Sequence, residues 1–276
     1  MDYPVTSASS TLLTFADKDV QKETSRSDGA AVSLRSVSKD FDSEAGTIRI
    51  INDVSFTVKP GEFVVLVGRS GCGKTTILNM LAGLYPPTSG AVEIFADSPQ
   101  NARRRLGYML ANDALMPWRS AVRNVELGLE ILGMPKKERR KKALSMLTDV
   151  GLGHAAGRLP WQLSHGMRQR VALARTWARD PGLLLMDEPF SALDAQTRTD
   201  VQATFLNVWQ GSNAAVVLVT HDLSEALLLA DRVIMLGDGK ILREVRPPFE
   251  RPRDLPSIAS SDTFRDLLNE LRELLN

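Results

Sequence analysis

An apolar, β-branched run, Phe63-Val64-Val65-Leu66-Val67, opens into Gly68-Arg69-Ser70-Gly71-Cys72-Gly73-Lys74-Thr75-Thr76. Gly68 to Thr75 fits the pattern G-x-x-x-x-G-K-[ST] in the setting it requires, a strand before it and a helix after it. Three glycines let the backbone turn its N–H groups inward around a tetrahedral anion, and the N-terminus of the following helix adds a partial positive charge. The expected product is a nest for phosphates. Lys74 is expected to reach β- and γ-phosphate oxygens, and the Thr75 hydroxyl to coordinate Mg²⁺, a hard cation that takes oxygen ligands and substrate phosphate. A glycine-rich turn around a buried lysine stem is the plainer alternative; the flanking strand and helix argue against it.

Composition narrows the setting. The 276 residues allow one large α/β domain with an inserted piece, or two modest domains, and a hydrophobic content of 43% can supply a core. The formal net charge of +1 gives no field that would by itself recruit nucleic acid or an anionic membrane. The single cysteine, Cys72, excludes an intrachain disulfide, which fits a reducing compartment. Lying where backbone does the binding, Cys72 reads as a small spectator. No apolar run approaches the ~18 residues needed to cross a bilayer, and no basic segment followed by an apolar stretch opens the sequence. The chain reads as cytosolic.

Residues 1–30, rich in Ser, Thr, Asp and Lys without periodicity, read as a mostly disordered lead. Val32 and Leu34, then Ile48, Ile50, Val54, Phe56 and Val58, alternate with polar residues as half-buried antiparallel strands do. Lys59-Pro60-Gly61-Glu62 is a turn feeding the phosphate-loop strand. Ile77, Leu78 and Leu81 give a helix face ending near Gly83, Tyr85-Pro86-Pro87 stops it, and a short strand is expected from Ala91 to Phe95.

From about 111 to 179 the pattern is helical. Val122, Val125, Leu129 and Leu132 share one face, Pro135 opens a second helix with Leu147 and Val150 on its apolar side, and a third runs from about Met167 to Ala178. The basic run Lys136 to Lys142 reads as a solvated helix face; it is short and lacks the interleaved aromatics of a nucleic-acid site. Continuous apolar runs return at Leu183–Met186, Ala215–Val219 and Val233–Leu236, implying strands buried on both faces in a mostly parallel sheet. Gly237-Asp238-Gly239 makes a hairpin into Lys240–Val245. In residues 246–276, Pro247, Pro248 and Pro252 mark a linker, and Phe264, Leu267, Leu268, Leu271 and Leu275 mark an amphipathic helix expected to pack on its own domain. The fold class is α/β, a P-loop NTPase core with an antiparallel β subdomain and an inserted helical subdomain.

Leu183 to Met186 ends in Asp187-Glu188-Pro189, two acids at the carboxyl end of a strand beside the phosphate loop. Asp187 is expected to hold Mg²⁺, and Glu188 to orient and deprotonate the water that attacks the γ-phosphate. Capping of the next helix is the duller use of such acids. Leu163-Ser164-His165-Gly166-Met167-Arg168-Gln169-Arg170 lies upstream; Ser191-Ala192-Leu193-Asp194 and Thr220-His221-Asp222 lie downstream.

This ordered set resembles the ATP-binding cassette family of transporter ATPases over residues 31–245. The resemblance implies an ATP-hydrolysing subunit with ATP and Mg²⁺ as ligands, paired head to tail with a second ATPase subunit. Ser164, His165 and Gly166 then act across that dimer on the γ-phosphate, His221 contacts the γ-phosphate and positions water, Asp194 links the two sites, and Phe41 stacks on adenine. Phe41 as an ordinary core residue is the alternative.

Two places depart from the family pattern. Ala111 stands where a glutamine usually reaches Mg²⁺ and the attacking water, and in the signature His165 and Met167 replace a glycine and the glutamine, methionine at that last place also occurring in some anion importers of the family. Ala114-Leu115-Met116-Pro117-Trp118-Arg119 resembles the importer branch for nitrate, sulfonates and taurine, where this segment docks a transmembrane permease and an extracytoplasmic solute-binding protein acts indirectly. The implied location is the cytoplasmic face of the cell membrane, with no nucleic-acid partner. Intact Lys74, Asp187, Glu188 and His221 favour a working motor; Ala111 and His165 favour a weak regulatory half of an asymmetric pair. A cassette acting on ribosomes or DNA would show a tandem cassette or a long coiled coil, which the sequence lacks.

Overall fold

In the computed structural model, residues 29–43 and 46–275 are described, so most of the expected N-terminal lead lies outside them. Alternating patterning places β1 (Val32–Ser43), β2 (Gly46–Val58) and β4 (Ser89–Ile94) in one antiparallel sheet of order β2-β1-β4. Val32, Leu34, Val54, Phe56 and Val58 are buried, while Arg35, Ser55 and Thr57 are exposed. β4 begins two residues earlier than expected and ends at Ile94, because Phe95 turns to φ 53 and leaves the ladder.

The continuous apolar runs form the second sheet. Its order is β5 (Leu106–Met109), β6 (Leu183–Asp187), β7 (Ala215–Thr220), β3 (Phe63–Gly68), β8 (Arg232–Gly237) and β9 (Lys240–Val245). All neighbours are parallel except β9, which the Gly237–Gly239 turn returns antiparallel to β8. One face, carrying Val64, Leu66, Leu185, Val217 and Ile234, packs on α1 (Lys74–Leu81) and the antiparallel sheet. The other, carrying Val65, Val67, Leu184, Met186 and Val216, packs on helices. Burial on both faces is what unbroken apolar strands require.

Three of those helices come from the segment between β5 and β6: α2 (Ala121–Ile131), α3 (Lys136–Asp149) and α4 (His165–Trp177). Leu132, expected on the buried face of α2, is exposed, because the helix stops at Ile131 and Gly133 turns at φ 78. α4 starts two residues before Met167, since the Ser164 hydroxyl caps it by accepting the Met167 N–H at 3.3 Å. α5 (Ala195–Gln210) buries Val201, Phe205, Leu206 and Trp209; Phe205 and Trp209 meet Phe63 edge-on, with ring centroids 5.6 and 5.3 Å away.

α6 (Leu223–Leu229) follows β7, and the chain ends in α7 (Leu255–Ser260) and α8 (Asp262–Leu275). Phe264, Leu268 and Leu271 of α8 are buried in the same core as Ala226, Leu227 and Leu229 of α6. Before α7, the Arg251 guanidinium lies 4.3 Å from the Trp209 ring centroid and donates to the Leu229 carbonyl at 2.7 Å, and Arg253 donates to the Leu228 carbonyl at 3.1 Å. Among the described residues, no helix is long and apolar enough to cross a membrane.

Candidate functional site

β3 is buried along its whole length and delivers the chain to Gly68, where a Cβ would lie 2.2 Å from the Leu236 carbonyl oxygen. At Gly73, φ is 102 and a Cβ would lie 2.3 Å from Ile51 Cδ1. Glycine is therefore a packing requirement at both places and a conformational one at Gly73. Lys74, 5% exposed, folds its ammonium back over the loop and donates to the carbonyls of Gly68 (2.8 Å) and Arg69 (2.9 Å). A cation is thus fixed in the concavity formed by residues 68–76. Cys72 is a free, buried thiol with the ammonium 3.9 Å from its sulfur.

Asp187 is not on the strand next to this loop, because β7 lies between β6 and β3. Helix α1 closes the gap: Thr75 Oγ1 donates to Asp187 Oδ1 at 3.1 Å. Burial raises the Asp187 pKa and the Glu188 charge adds to the rise, while the Thr75 hydrogen bond and Lys74 oppose it. Hydroxyl and carboxylate are both hard donors, so the pair suits Mg²⁺. Among the described residues no group of three or more His, Cys, Asp or Glu could hold a metal by itself.

Neither acid caps a helix; the caps of α5 and α6 are Asp194 and Asp222. Glu188 instead sits at φ 45, its N–H donating to the Val219 carbonyl at 2.9 Å. That turn sets Glu188 Oε2 at 3.0 Å from His221 Nδ1, at the end of the adjacent strand β7. A half-exposed carboxylate bonded to an imidazole can hold a water and take its proton.

Ser164, His165 and Gly166 form the start of α4, and Gly166 has room for nothing larger: a Cβ would lie 2.3 Å from Thr197 Cγ2 of α5. The signature turn therefore lies against the helix begun by Asp194. The Asp194 carboxyl accepts the Thr197 N–H at 3.0 Å, and that bond lowers its pKa. The capped N-terminal ends of α4 and α5 thus sit side by side.

The family described as ABC transporter matches residues 51–191, about half of the chain. The chain belongs to the ABC transporter family. It is 46% identical over 203 residues to a taurine import ATP-binding protein, TauB, of Chromobacterium violaceum, covering 73% of this chain and 78% of that one. It is 43% identical over 246 residues to an aliphatic sulfonates import ATP-binding protein, SsuB 1, of Streptomyces avermitilis, covering 89% and 86%. Among solved structures, it resembles the dimeric, post-hydrolysis form of the ATP-binding cassette MJ0796 bound to ADP and Pi, with a TM-score of 0.71, 34% identity, and coverage of 79% of this chain and all of that one. The matched segment contains the phosphate loop, Asp187 and Glu188, and His221 lies 30 residues beyond its end.

Two further places bear on that cassette. Phe41 is 38% exposed on β1, not in the core, and packs edge-on against Tyr85 with ring centroids 5.6 Å apart; the Lys39 ammonium lies 5.0 Å from one ring and 5.2 Å from the other. Tyr85 reads in the sequence only as part of a helix stop, and nothing local announces its place beside Phe41. At the end of β5, Ala111 offers no side-chain ligand, yet its loop is held: Gln169 Nε2 donates to the Ala111 carbonyl at 3.3 Å, and Arg175 to the carbonyls of Asp113 (2.8 Å) and Ala114 (2.6 Å). Beyond it, fully buried Asn124 accepts the Met116 N–H at 2.7 Å and donates to the Arg119 carbonyl at 2.8 Å. That bracket presents Trp118, 72% exposed.

Proposed function

We propose that this chain is the motor subunit of an importer, hydrolysing Mg²⁺-bound ATP to drive a small sulfonate-, taurine- or nitrate-like solute through a separate transmembrane permease. It would act as a pair of cassettes, at the cytoplasmic face of the cell membrane, with an extracytoplasmic solute-binding protein delivering the solute to the permease. The observation that carries this reading is the Glu188–His221 pair at 3.0 Å, placed on neighbouring strand ends beside the Thr75–Asp187 pair. Lys74 and the N–H groups of residues 69–75 bind the phosphates, and Phe41 with Tyr85 offers an aromatic surface for the base. Mg²⁺, held by Thr75 and Asp187, would neutralise phosphate charge. Glu188 takes a proton from the attacking water, while His221 contacts the γ-phosphate and positions that water. Ser164, His165 and Gly166 serve the nucleotide of a second cassette, and Asp194 touches that cassette.

Trp118 and Met116, on the turn bracketed by Asn124, supply the apolar surface for the permease. The import direction and solute class rest on the likeness to TauB and SsuB 1. The test is Mg²⁺-dependent ATP hydrolysis by the chain copurified with its membrane partner, wild type against Glu188→Gln. Loss of activity supports the motor. Persisting activity, or a second cassette protein carrying it, supports the reading that Ala111 and His165 favour, a weakly hydrolysing half of an asymmetric complex.

A further inference from the structure

The loops bearing His221 and Asp194 each open a helix, and the helices are tied together by side chains. Asp222 caps α6, accepting from Ser224 N at 2.8 Å and Glu225 N at 3.2 Å, while Asp194 caps α5. Near the caps, Arg198 donates to Asp222 Oδ2 at 3.4 Å and to the Leu193 carbonyl at 3.0 Å, so it grips both loops. One turn deeper, Gln202 Nε2 donates to Glu225 Oε1 at 2.8 Å, with the two residues 4% and 5% exposed. The Glu225 carboxyl also takes a hydrogen bond from Thr220, whose Oγ1 accepts the Asp222 N–H at 3.0 Å. One buried carboxyl therefore touches the turn that carries His221 and the helix that carries Asp194.

A packed apolar pair would fill this space without burying an acid, and removing one partner of a buried polar pair is far more disruptive than replacing both. Burial pushes the Glu225 pKa up to about 7; Asp222 adds to the rise, while Thr220, Gln202 and Arg198 oppose it. Arg251 and Arg253, the cations at the other end of α6, are engaged with the carbonyls of Leu229 and Leu228. None of Arg198, Gln202 or Glu225 contributes a ligand to the ATP site.

We propose that the Gln202–Glu225 pair is a positioning linkage that makes α5 and α6 move as one body, so that engagement of the Asp194 loop by a second cassette sets the place of His221. This rests on the motor reading above. Without the linkage, the His221 turn keeps only its own cap and the half-exposed Arg198–Asp222 contact at 3.4 Å, and occupancy of one site reaches the other less well. Glu225 and Gln202 are thus positioning residues that act through His221.

The experiment uses the full chain with its membrane partner and compares wild type, Glu225→Leu, Gln202→Met, the double variant Gln202→Met/Glu225→Leu and Glu188→Gln. For the three linkage variants, kcat should fall about ten- to a hundredfold, the scale of a misplaced catalytic group. Equilibrium ATP affinity should hold within about twofold, because no ATP ligand is touched. The Hill coefficient for ATP should drop toward unity, and in Glu225→Leu the inflection of the pH–rate profile near neutrality should vanish. A folded linkage variant with wild-type kcat and cooperativity overturns the linkage, as does a parallel loss of ATP affinity and kcat. Each single variant strands a buried polar group; if neither folds, the double variant, which replaces both partners, decides. Hydrolysis surviving in Glu188→Gln overturns the motor reading itself, whereas hydrolysis lost there and normal in the folded linkage variants overturns only the linkage.

Discussion

The ends of β6 and β5 lie side by side on one sheet and are built in opposite ways. At the end of β6 the candidate groups are side chains paired with side chains: Asp187 with Thr75, Glu188 with His221. At the end of β5 the loop is shaped through main-chain carbonyls, those of Ala111, Asp113 and Ala114, gripped by Gln169 and Arg175 from α4. A side-chain site loses its chemistry with any one substitution. A loop held by its carbonyls keeps its course when a side chain is lost, which is how Ala111 can stand there without disturbing the segment that leads to Trp118.

The sharpest way to break this contrast is at Glu188. Removing a general base costs ~10²–10⁴ in rate, so Glu188→Gln should lose hydrolysis on that scale in a steady-state assay while equilibrium ATP binding persists. Next in size is the stability of the β7 side. Glu225 is raised from 4.5 to about 7, so the folded state holds an extra proton between those values, and stability falls as pH rises through about 7. Between pH 5 and pH 8 the group should subtract on the order of 2–3 kcal/mol, about 30- to 150-fold in the folded-to-unfolded ratio. Urea unfolding of Glu225→Gln should show this pH-dependent loss removed.

Phe41→Ala should weaken ATP binding by about tenfold, the worth of one aromatic stack, with kcat unchanged, as read by titration with a fluorescent nucleotide. The smallest effect belongs to the carbonyl-held loop. Because the backbone at 111 is already in place, Ala111→Gln should fold normally and raise hydrolysis or its stimulation by the permease a few-fold, about 1 kcal/mol of transition-state stabilisation. A destabilised Ala111→Gln would erase the distinction between the two strand ends.

Much of the candidate site was legible because its motifs are local. Gly68 to Thr75 and Asp187-Glu188 each carry their chemistry within a few residues, and apolar runs marked the buried strands. Strand order was not legible: periodicity reports which faces are buried, not which strands are neighbours, so the place of β7 between β3 and β6 and the reach from Thr75 to Asp187 needed three dimensions. Leu132 fits the apolar spacing of α2, and only the turn at Gly133 puts it in solvent. Tyr85, Asn124 and Gln202 gain meaning from partners 44, 8 and 23 positions away (Phe41, Met116 and Glu225), and hydrophobic periodicity carries no signal for such pairs.

The last thirty residues have a practical consequence. α8 buries Phe264, Leu268 and Leu271 in the core shared with α6, and Arg251 and Arg253 hold the final carbonyls of α6, whose first residues follow His221. Trimming the polypeptide after Val245 would strip the outer wall from the helix that seats the histidine. A purification handle fused at the carboxyl end would pull on that same wall, so the handle belongs at the other end of the polypeptide.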